Sequence, residues 1–196
     1  DGGLTWNLIN IAGVLSGRTN VMFGANGNIF ASSYGGFWRS TNAGDNWVKI
    51  LTLNGYMGAV GMIGSKILCT AAGIIYRTSN EGITWDSSAQ TIRPRCFTTV
   101  NNIIYAGGNY NGYNGVWKST DEGITWSHTG GISMPNAVSV TSIIGSGSML
   151  IAATNNSIYA STNGGDNWIR SSTDGGTYTD LIIENDYVYV LKSSIM

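Results

Sequence analysis

The carboxylates Asp180 and Glu184 are the residues whose type and position could do acid–base chemistry. A glycosidase needs two carboxyl groups about 5 to 9.5 Å apart, one to protonate the leaving oxygen and one to act as base or nucleophile. Alignment of the repeated units described below puts Asp180 at the beginning of an innermost strand, level with Arg95. Because no convincing second carboxylate accompanies Asp180, the sequence assigns no catalytic residue, and any enzyme activity would be that of a glycoside hydrolase.

Metal and redox chemistry have few residues to draw on. His128 is the single histidine, and Cys69 and Cys96 stand in apolar, strand-like stretches without a C-x-x-C pattern. We therefore expect two free thiols rather than a disulfide, no metal site and no cofactor.

Charged and aromatic side chains at one face of the fold could bind a ligand instead. The third unit carries a five-residue insertion within 108–114, rich in Tyr, Asn and Gly, between its second and third strands. Rings stack on sugars and amides bind hydroxyl groups, so this loop could contact carbohydrate or peptide, and a mobile solvated loop is the alternative. For Asp180 and Arg95 the alternative is an ordinary ion pair or a solvated rim. The predicted ligand-binding residues are Tyr56, Arg93, Arg95, Tyr110, Tyr113, Tyr178 and Asp180.

The composition excludes several classes of protein. Of the 196 residues, 11% are charged and 42% are hydrophobic, whereas disordered chains pair low hydrophobicity with high charge. The formal net charge of −1 supplies no positive field for nucleic acid, and no stretch approaches the ~20 apolar residues of a membrane-spanning helix. Its 28 Gly residues, about twice the usual share, favour a turn-rich β protein.

An octapeptide recurs along the chain: Ser or Thr, any residue, Asp or Asn, any residue, Gly, two further residues and Trp. Its complete copies are 40–47, 78–85, 119–126 and 161–168, and the chain opens inside a fifth copy at 1–6. Successive Trp residues are 41, 38, 41 and 42 positions apart. Because each period also holds four short strand-like runs, the repeat predicts the four-stranded blades of a β-propeller.

The chemistry of the octapeptide is that of a turn. An Asp or Asn at its third position can accept backbone hydrogen bonds, the Gly at its fifth position can adopt a left-handed conformation, and the Trp can hold the loop on its sheet. A calcium or catalytic site is the alternative, but interchangeable Asn and Asp fit a structural task. The predicted structural residues are Asn42, Gly44, Trp47, Asn80, Gly82, Trp85, Asp121, Gly123, Trp126, Asn163, Gly165, Trp168, Asp1, Gly3 and Trp6.

These units predict an all-β fold, a propeller of about five four-stranded blades with the octapeptides between third and fourth strands. The units are approximately 19–53, 58–91, 95–130, 138–172 and 178–196 plus 1–9. Leu4–Ile9 resembles a missing outer strand of the last unit, so the two termini could share a blade. The alternative is a five-unit piece of a longer array, and unpaired terminal strands would favour self-association or further blades.

The octapeptides resemble Asp-box repeats, also called BNR repeats, over essentially the whole chain. That family includes sialidases, xyloglucan-degrading glycosidases, sortilin-type receptors and photosystem II assembly-factor-like propellers. The resemblance implies that each box is a hairpin on the face away from the ligand site. A sialidase would also need three clustered arginines, but Arg39, Arg77 and Arg170 fall on outer strands. Three of the four complete boxes carry Asn in place of Asp.

The sequence therefore predicts a non-catalytic binding or scaffold propeller that recognises carbohydrate or a protein partner. The alternative is a fragment of a sialidase- or xyloglucanase-like glycoside hydrolase that lacks part of its catalytic site. We expect no nucleic-acid partner and no membrane insertion. Low charge with abundant Asn, Ser, Thr and Gly favours a secreted, bacterial protein, although no signal peptide is present within the 196 residues.

Overall fold

The computed structural model describes residues 20–23, 27–53, 57–110, 113–129, 139–171, 176–185 and 187–193. In this part of the chain the ordered elements are β-strands, joined in five antiparallel sheets. None of the described segments is a helix of the length and apolarity needed to cross a membrane.

Sheets 1 to 4 contain four strands each, in chain order across the sheet, and sheet 5 contains two. Sheet 1 is β1 (Asn20–Phe23), β2 (Ile29–Ser33), β3 (Gly36–Ser40) and β4 (Val48–Thr52), and sheet 2 is β5 (Met57–Ile63), β6 (Lys66–Ala71), β7 (Ile74–Thr78) and β8 (Asp86–Thr91). Sheet 3 is β9 (Arg93–Val100), β10 (Ile103–Tyr110), β11 (Tyr113–Ser119) and β12 (Ser127–Thr129). Sheet 4 is β13 (Val140–Ser146), β14 (Met149–Thr154), β15 (Ile158–Ser161) and β16 (Ile169–Arg170), and sheet 5 is β17 (Thr177–Glu184) and β18 (Tyr187–Ser193).

The first strands of successive sheets lie beside one another: β1 contacts β5, β5 contacts β9, β9 contacts β13 and β13 contacts β17. They line the centre of the fold, and the fourth strands lie at the periphery. This arrangement confirms the predicted all-β propeller. No comparable contact joins β17 to β1 within the described ranges.

The hydrophobic cores lie between neighbouring sheets. Phe30 and Phe37 of sheet 1 share a core with Ile67 and Cys69 of sheet 2, and equivalent cores join sheets 2 and 3, 3 and 4, and 4 and 5. A second strand such as β6 is therefore covered on both faces, which explains why Ile67–Ala71 is buried throughout instead of alternating.

The insertion predicted as a loop in the third unit is a paired hairpin. Residues 103–110 of β10 and 113–119 of β11 form one antiparallel ladder that extends to Tyr110 opposite Tyr113. The inserted residues lengthen both strands because Gly, Asn and Tyr can continue the ladder. The alternative of a mobile solvated loop is thus wrong for the backbone of 108–110 and 113–114. The predicted strand at Leu4–Ile9 lies outside the described residues.

Candidate functional site

The two ends of the propeller carry different loops. We call the end at which first strands begin the start face, and the end that carries the octapeptides the octapeptide face. Because strands alternate in direction, the connections between second and third strands also lie at the start face. Those connections include Tyr34–Gly35, Ala72–Gly73 and the long hairpin of sheet 3.

A β-bulge interrupts the first strands of sheets 2 to 5 near the start face. In β9 the register passes from Pro94 to Cys96, so Arg95 is the extra residue, and Thr141 and Thr179 take the same place in β13 and β17. Bulges leave a residue unpaired and re-aim its side chain, which is why they recur beside functional sites.

Asp180 follows the bulge of β17 and accepts two hydrogen bonds. The Ser142 hydroxyl donates to Asp180 Oδ1 at 3.1 Å, and the Leu181 backbone N–H donates to the same oxygen at 2.8 Å. The carboxylate is thereby held against β13 while the residue as a whole remains exposed. Alignment by sequence put Asp180 level with Arg95, but the bulges put Asp180 level with Cys96 and Arg95 level with Thr179.

The charges of Arg95 and Asp180 both act on the thiol of Cys96. Burial is the main cause that raises the pKa of Cys96 to about 12; Asp180 raises this pKa further and Arg95 lowers it. Burial also raises the pKa of Cys69 well above its ordinary value. Both cysteines are free, as predicted, and neither is a thiolate at neutral pH.

A cavity of about 460 Å³ opens at the start face between sheets 2 and 3. Thr70 and Pro94 line it, Arg93 lies at its edge, and Gly58 and Gly73 form part of its wall. A Cβ atom at Gly58 would collide with Thr70 Oγ1, and Gly73 has a φ of +86° with Arg93 Cγ 3.2 Å from the place of a Cβ atom. No sequence pattern beyond the glycines themselves indicated this cavity.

Three of the predicted ligand-binding residues, Arg93, Arg95 and Asp180, are exposed at the start face. Tyr178 is 4% exposed and packs with Ala153 in the core between sheets 4 and 5, so its ring is unavailable to a ligand. It was predicted as a ligand-binding residue, but it is the second residue of β17 and faces sheet 4. Tyr110 and Tyr113 form the last backbone pair of the long hairpin. Their side chains, and the whole of Tyr56, are not among the parts of the chain that the structure describes.

Glu184 lies at the other end of β17 from the start face. It is four residues beyond Asp180 in an extended strand, which corresponds to about 13 Å. This spacing exceeds the ~5 to 9.5 Å between the paired carboxyl groups of a glycosidase. The described residues also contain no cluster of three His, Cys, Asp or Glu side chains suited to a metal ion.

The four complete octapeptides share one hydrogen-bonded turn. In 119–126 the Gly123 N–H donates to Ser119 Oγ at 2.8 Å, that hydroxyl donates to Asp121 Oδ1 at 2.8 Å, and the Thr125 N–H donates to the same carboxylate oxygen at 2.9 Å. The corresponding bonds in the other three are 2.9 to 3.0 Å. The fifth-position glycines have φ between +86° and +97°, as expected, and the partial copy with Asp1, Gly3 and Trp6 lies outside the described residues.

The fourth position of the octapeptide is also left-handed, which the sequence pattern did not indicate. Ala43, Glu81 and Glu122 have φ of 57°, 56° and 60°, and Gly164 has 66°. This second left-handed residue turns its side chain toward the preceding sheet. Glu81 then meets Arg39 of sheet 1 at 3.3 Å, and Glu122 pairs with Lys66 of sheet 2.

Comparison with solved structures supports the propeller fold. A structure of YCF48 bound to D1 peptide matches with a TM-score of 0.74 and 14% identity over 98% of this chain and 66% of that chain. YCF48 from Cyanidioschyzon merolae matches with a TM-score of 0.69 and 16% identity over 98% of this chain and 70% of the other. The GH74 xyloglucanase from Xanthomonas campestris matches with a TM-score of 0.59 and 16% identity over 82% of this chain and 30% of the enzyme.

These identities establish a shared fold and no shared activity. The chain spans about two-thirds of the length of the first YCF48 structure. No protein-family model matches the sequence. No curated protein matches it either.

Proposed function

We propose that this chain is a non-catalytic binding propeller whose start face takes a polar, extended segment of a protein partner. The observation that carries the proposal is the set of β-bulges that present Arg95, Thr141 and Thr179 on consecutive first strands, with Asp180 held beside them. Arg95 offers a cationic donor and Asp180 an anionic acceptor. The hydroxyls of Thr141 and Thr179 donate to the carbonyls of Tyr178 and Leu191, so they can accept hydrogen bonds from a ligand. A peptide, through its backbone and side chains, offers partners for all three.

The cavity beside Arg93 adds to this surface a recess for a side chain. Its walls are backbone, a hydroxyl and a proline, so it would accept a small apolar or hydroxylated side chain of the peptide. The YCF48 structure named above holds a D1 peptide, which supports a peptide as the class of ligand for a propeller of this shape.

Glycoside hydrolysis is the second candidate because GH74 enzymes share the fold and Asp180 is a carboxylate at the start face. Glu184, the second carboxylate that the sequence suggested, lies about 13 Å from Asp180 along β17, which is too far for the paired carboxyl groups of a glycosidase.

A soluble positional-scanning peptide library and a set of xyloglucan oligosaccharides would decide between these functions. We expect peptides to bind, with at least about tenfold weaker binding in Arg95→Ala and in Asp180→Asn, a loss of about 1.4 kcal/mol. Asp45→Asn, on the octapeptide face, is the matched control and should bind as the parent chain does. Release of reducing sugar that disappears in Asp180→Asn would favour the hydrolase instead.

A further inference from the structure

The residue directly before each complete octapeptide lies in a third strand, and in two units it binds a carboxylate of the next sheet. These residues are Arg39, Arg77, Lys118 and Ala160. Arg39 Nη1 lies 3.3 Å from Glu81 Oε2, at the fourth position of the next octapeptide. Lys118 Nζ lies 2.9 Å from Asp166 Oδ1, at the sixth position of the next octapeptide. The repeat thus places a cation where it meets a carboxylate of the following sheet.

Arg77 is the equivalent cation between sheets 2 and 3, and it lacks this contact. Its Nη1 atom is buried and has no hydrogen-bond partner within the part of the chain that the structure describes. In the octapeptide of sheet 3 the fourth position is Glu122, which pairs with Lys66, and the sixth is the uncharged Ile124. Buried polar groups are nearly always paired, because an unpaired one costs free energy, so this nitrogen is a donor available to a ligand.

Arg77 borders a cavity of about 150 Å³ at the octapeptide face, between sheets 2 and 3. The other charged residues of its lining are Lys66, Asp86 and Glu122, and Ile124 forms an apolar part of its wall. The volume is several times the roughly 30 Å³ that one water molecule occupies in the liquid. The cavity therefore has room for a carboxylate group beside Arg77.

The charges around the cavity favour an anion with a single charge. Lys66 and Glu122 neutralise each other, which leaves Arg77 and Asp86. Asp86 lies opposite Arg77 in the ladder between β7 and β8, but it is exposed, so water and salt screen its charge. A phosphate group, with a larger negative charge, would be repelled more strongly by the two carboxylates. The planar guanidinium of Arg77 matches a carboxylate in shape and in hydrogen bonding.

We propose that this cavity binds the carboxylate of an acidic side chain from a protein partner. That group would bind Arg77 as the carboxylates of the next octapeptides bind Arg39 and Lys118 within this chain. Ile124, which is 47% exposed, would contact the methylene groups of the same side chain. The site lies on the octapeptide face, so it is separate from the peptide-binding surface proposed for the start face.

An NMR titration with N-acetylglutamate N-methylamide, which carries one carboxylate, tests the proposal. We expect saturable shifts of the Arg77 Nε–H signal and of the backbone amides of 119–126. Arg77→Gln should weaken the binding seen at those amides at least about tenfold. Arg39→Gln, at the same place in the preceding unit, is the matched control and should bind as the parent chain does.

The uncharged glutamine analogue of this compound should cause no such shifts. Equal binding of both compounds, or no binding of the glutamate compound to the parent chain, would overturn the proposal. Acetate is a third probe: binding of acetate without binding of the glutamate compound would indicate a site for small anions only and would also overturn it.

A carboxylate supplied by the chain itself provides a second test. Ile124→Asp places a carboxylate at the sixth octapeptide position, where Asp166 meets Lys118, so it should compete for Arg77 and weaken binding of the glutamate compound at least about tenfold. Ile83→Asp, the same substitution in the octapeptide of sheet 2 at a residue 78% exposed, is the matched control and should bind as the parent chain does. Unchanged binding in Ile124→Asp, or an equal loss in both variants, would contradict the proposed site.

Discussion

At the scale of single residues, the octapeptide shows how an Asp and an Asn can fill one structural position. Asp121 accepts hydrogen bonds from Ser119 and Thr125, and Asn80 receives the corresponding bonds from Thr78 and Thr84. Asn80 also donates from its amide nitrogen to the Thr84 hydroxyl at 2.9 Å, whereas the Thr125 hydroxyl donates to the second carboxylate oxygen of Asp121. The turn is therefore the same, and only its charge differs.

That charge makes one of the four complete turns sensitive to pH. Burial raises the pKa of Asp121, but hydrogen bonds from the Thr125 hydroxyl and N–H and from Ser119 outweigh it, so the pKa of Asp121 lies below its ordinary value. A carboxyl whose pKa is lowered by folding stabilises the native state above its unfolded pKa and loses this effect as the pH falls through the folded pKa.

We therefore expect Asp121→Asn to be less stable than the parent chain at pH 7 and to approach it as the pH falls below about 3.9. Urea unfolding at pH 7, 4 and 3 measures the difference. Asn80→Asp is the matched control, because it introduces a carboxylate beside Thr84 and should show the opposite pH dependence. A difference between Asp121→Asn and the parent chain that stays constant with pH would contradict this assignment.

Glycine at the fifth octapeptide position is required for two separate reasons. Gly82 has a φ of +90°, and a Cβ atom there would lie 2.5 Å from Ile50 Cδ1 of the preceding sheet. We expect Gly82→Ala to lower the free energy of unfolding by about 3 kcal/mol. Gly64→Ala should cost only about 1 kcal/mol, because Gly64 has a φ of +55° and no atom within 4 Å of the place of a Cβ atom. Equal losses would show that backbone strain alone matters.

At the scale of elements, the octapeptides join neighbouring sheets as well as closing hairpins. The Trp85 indole N–H donates to Gly82 O at 3.2 Å and to Ile50 O of sheet 1 at 3.0 Å, and its ring lies edge-on to Phe37 at 5.7 Å. Trp126 and Trp168 likewise belong to the cores between their sheets and the preceding ones. The octapeptides 78–85, 119–126 and 161–168 are thus contacts between blades.

Gln90 links sheets 2 and 3 through two hydrogen bonds to one residue. Its side-chain oxygen accepts a hydrogen bond from the backbone N–H of Trp126 at 2.6 Å, and its side-chain nitrogen donates to the backbone carbonyl of Trp126 at 3.1 Å. We expect Gln90→Ala to destabilise the protein by about 1 to 3 kcal/mol because it leaves both Trp126 groups unpaired. Ser87→Ala, at an exposed position on the same strand, should change stability by less than about 0.5 kcal/mol. Thermal unfolding of both variants checks this, and equal midpoints would refute it.

Features that depend on local residue types could be predicted from the sequence, whereas features that depend on how strands pair and pack with their neighbours could not. The period near 40, the four strands per unit and the turn chemistry of Asn80 or Gly82 depend on local residue types, and they were predicted from them. The bulge at Arg95 and the burial of Tyr178 depend on how β9 and β17 pair with their neighbours, which no local pattern encodes. One shifted residue therefore moved Arg95 out of its sequence-based alignment with Asp180.

At the scale of the whole molecule, the propeller separates two tasks by face. The octapeptide face holds the sheets together through ion pairs such as Lys118 with Asp166 and through the indole contacts described above. The start face carries the bulges, the cavity at Gly58 and Thr70, and the exposed Arg95 and Asp180. Binding at the start face can therefore change without loss of the contacts that stabilise the fold.

Hydrogen–deuterium exchange, read by mass spectrometry with and without a peptide selected from the library, tests the ligand face most directly. The amides of bulge residues are not in the ladder and exchange readily, so a ligand that covers them should slow their exchange. We predict slower exchange at the bulges of β9, β13 and β17, centred on Arg95, Thr141 and Thr179, and unchanged exchange in the octapeptides. Slower exchange confined to the octapeptides, with no change at the three bulges, would contradict binding of the peptide at the start face.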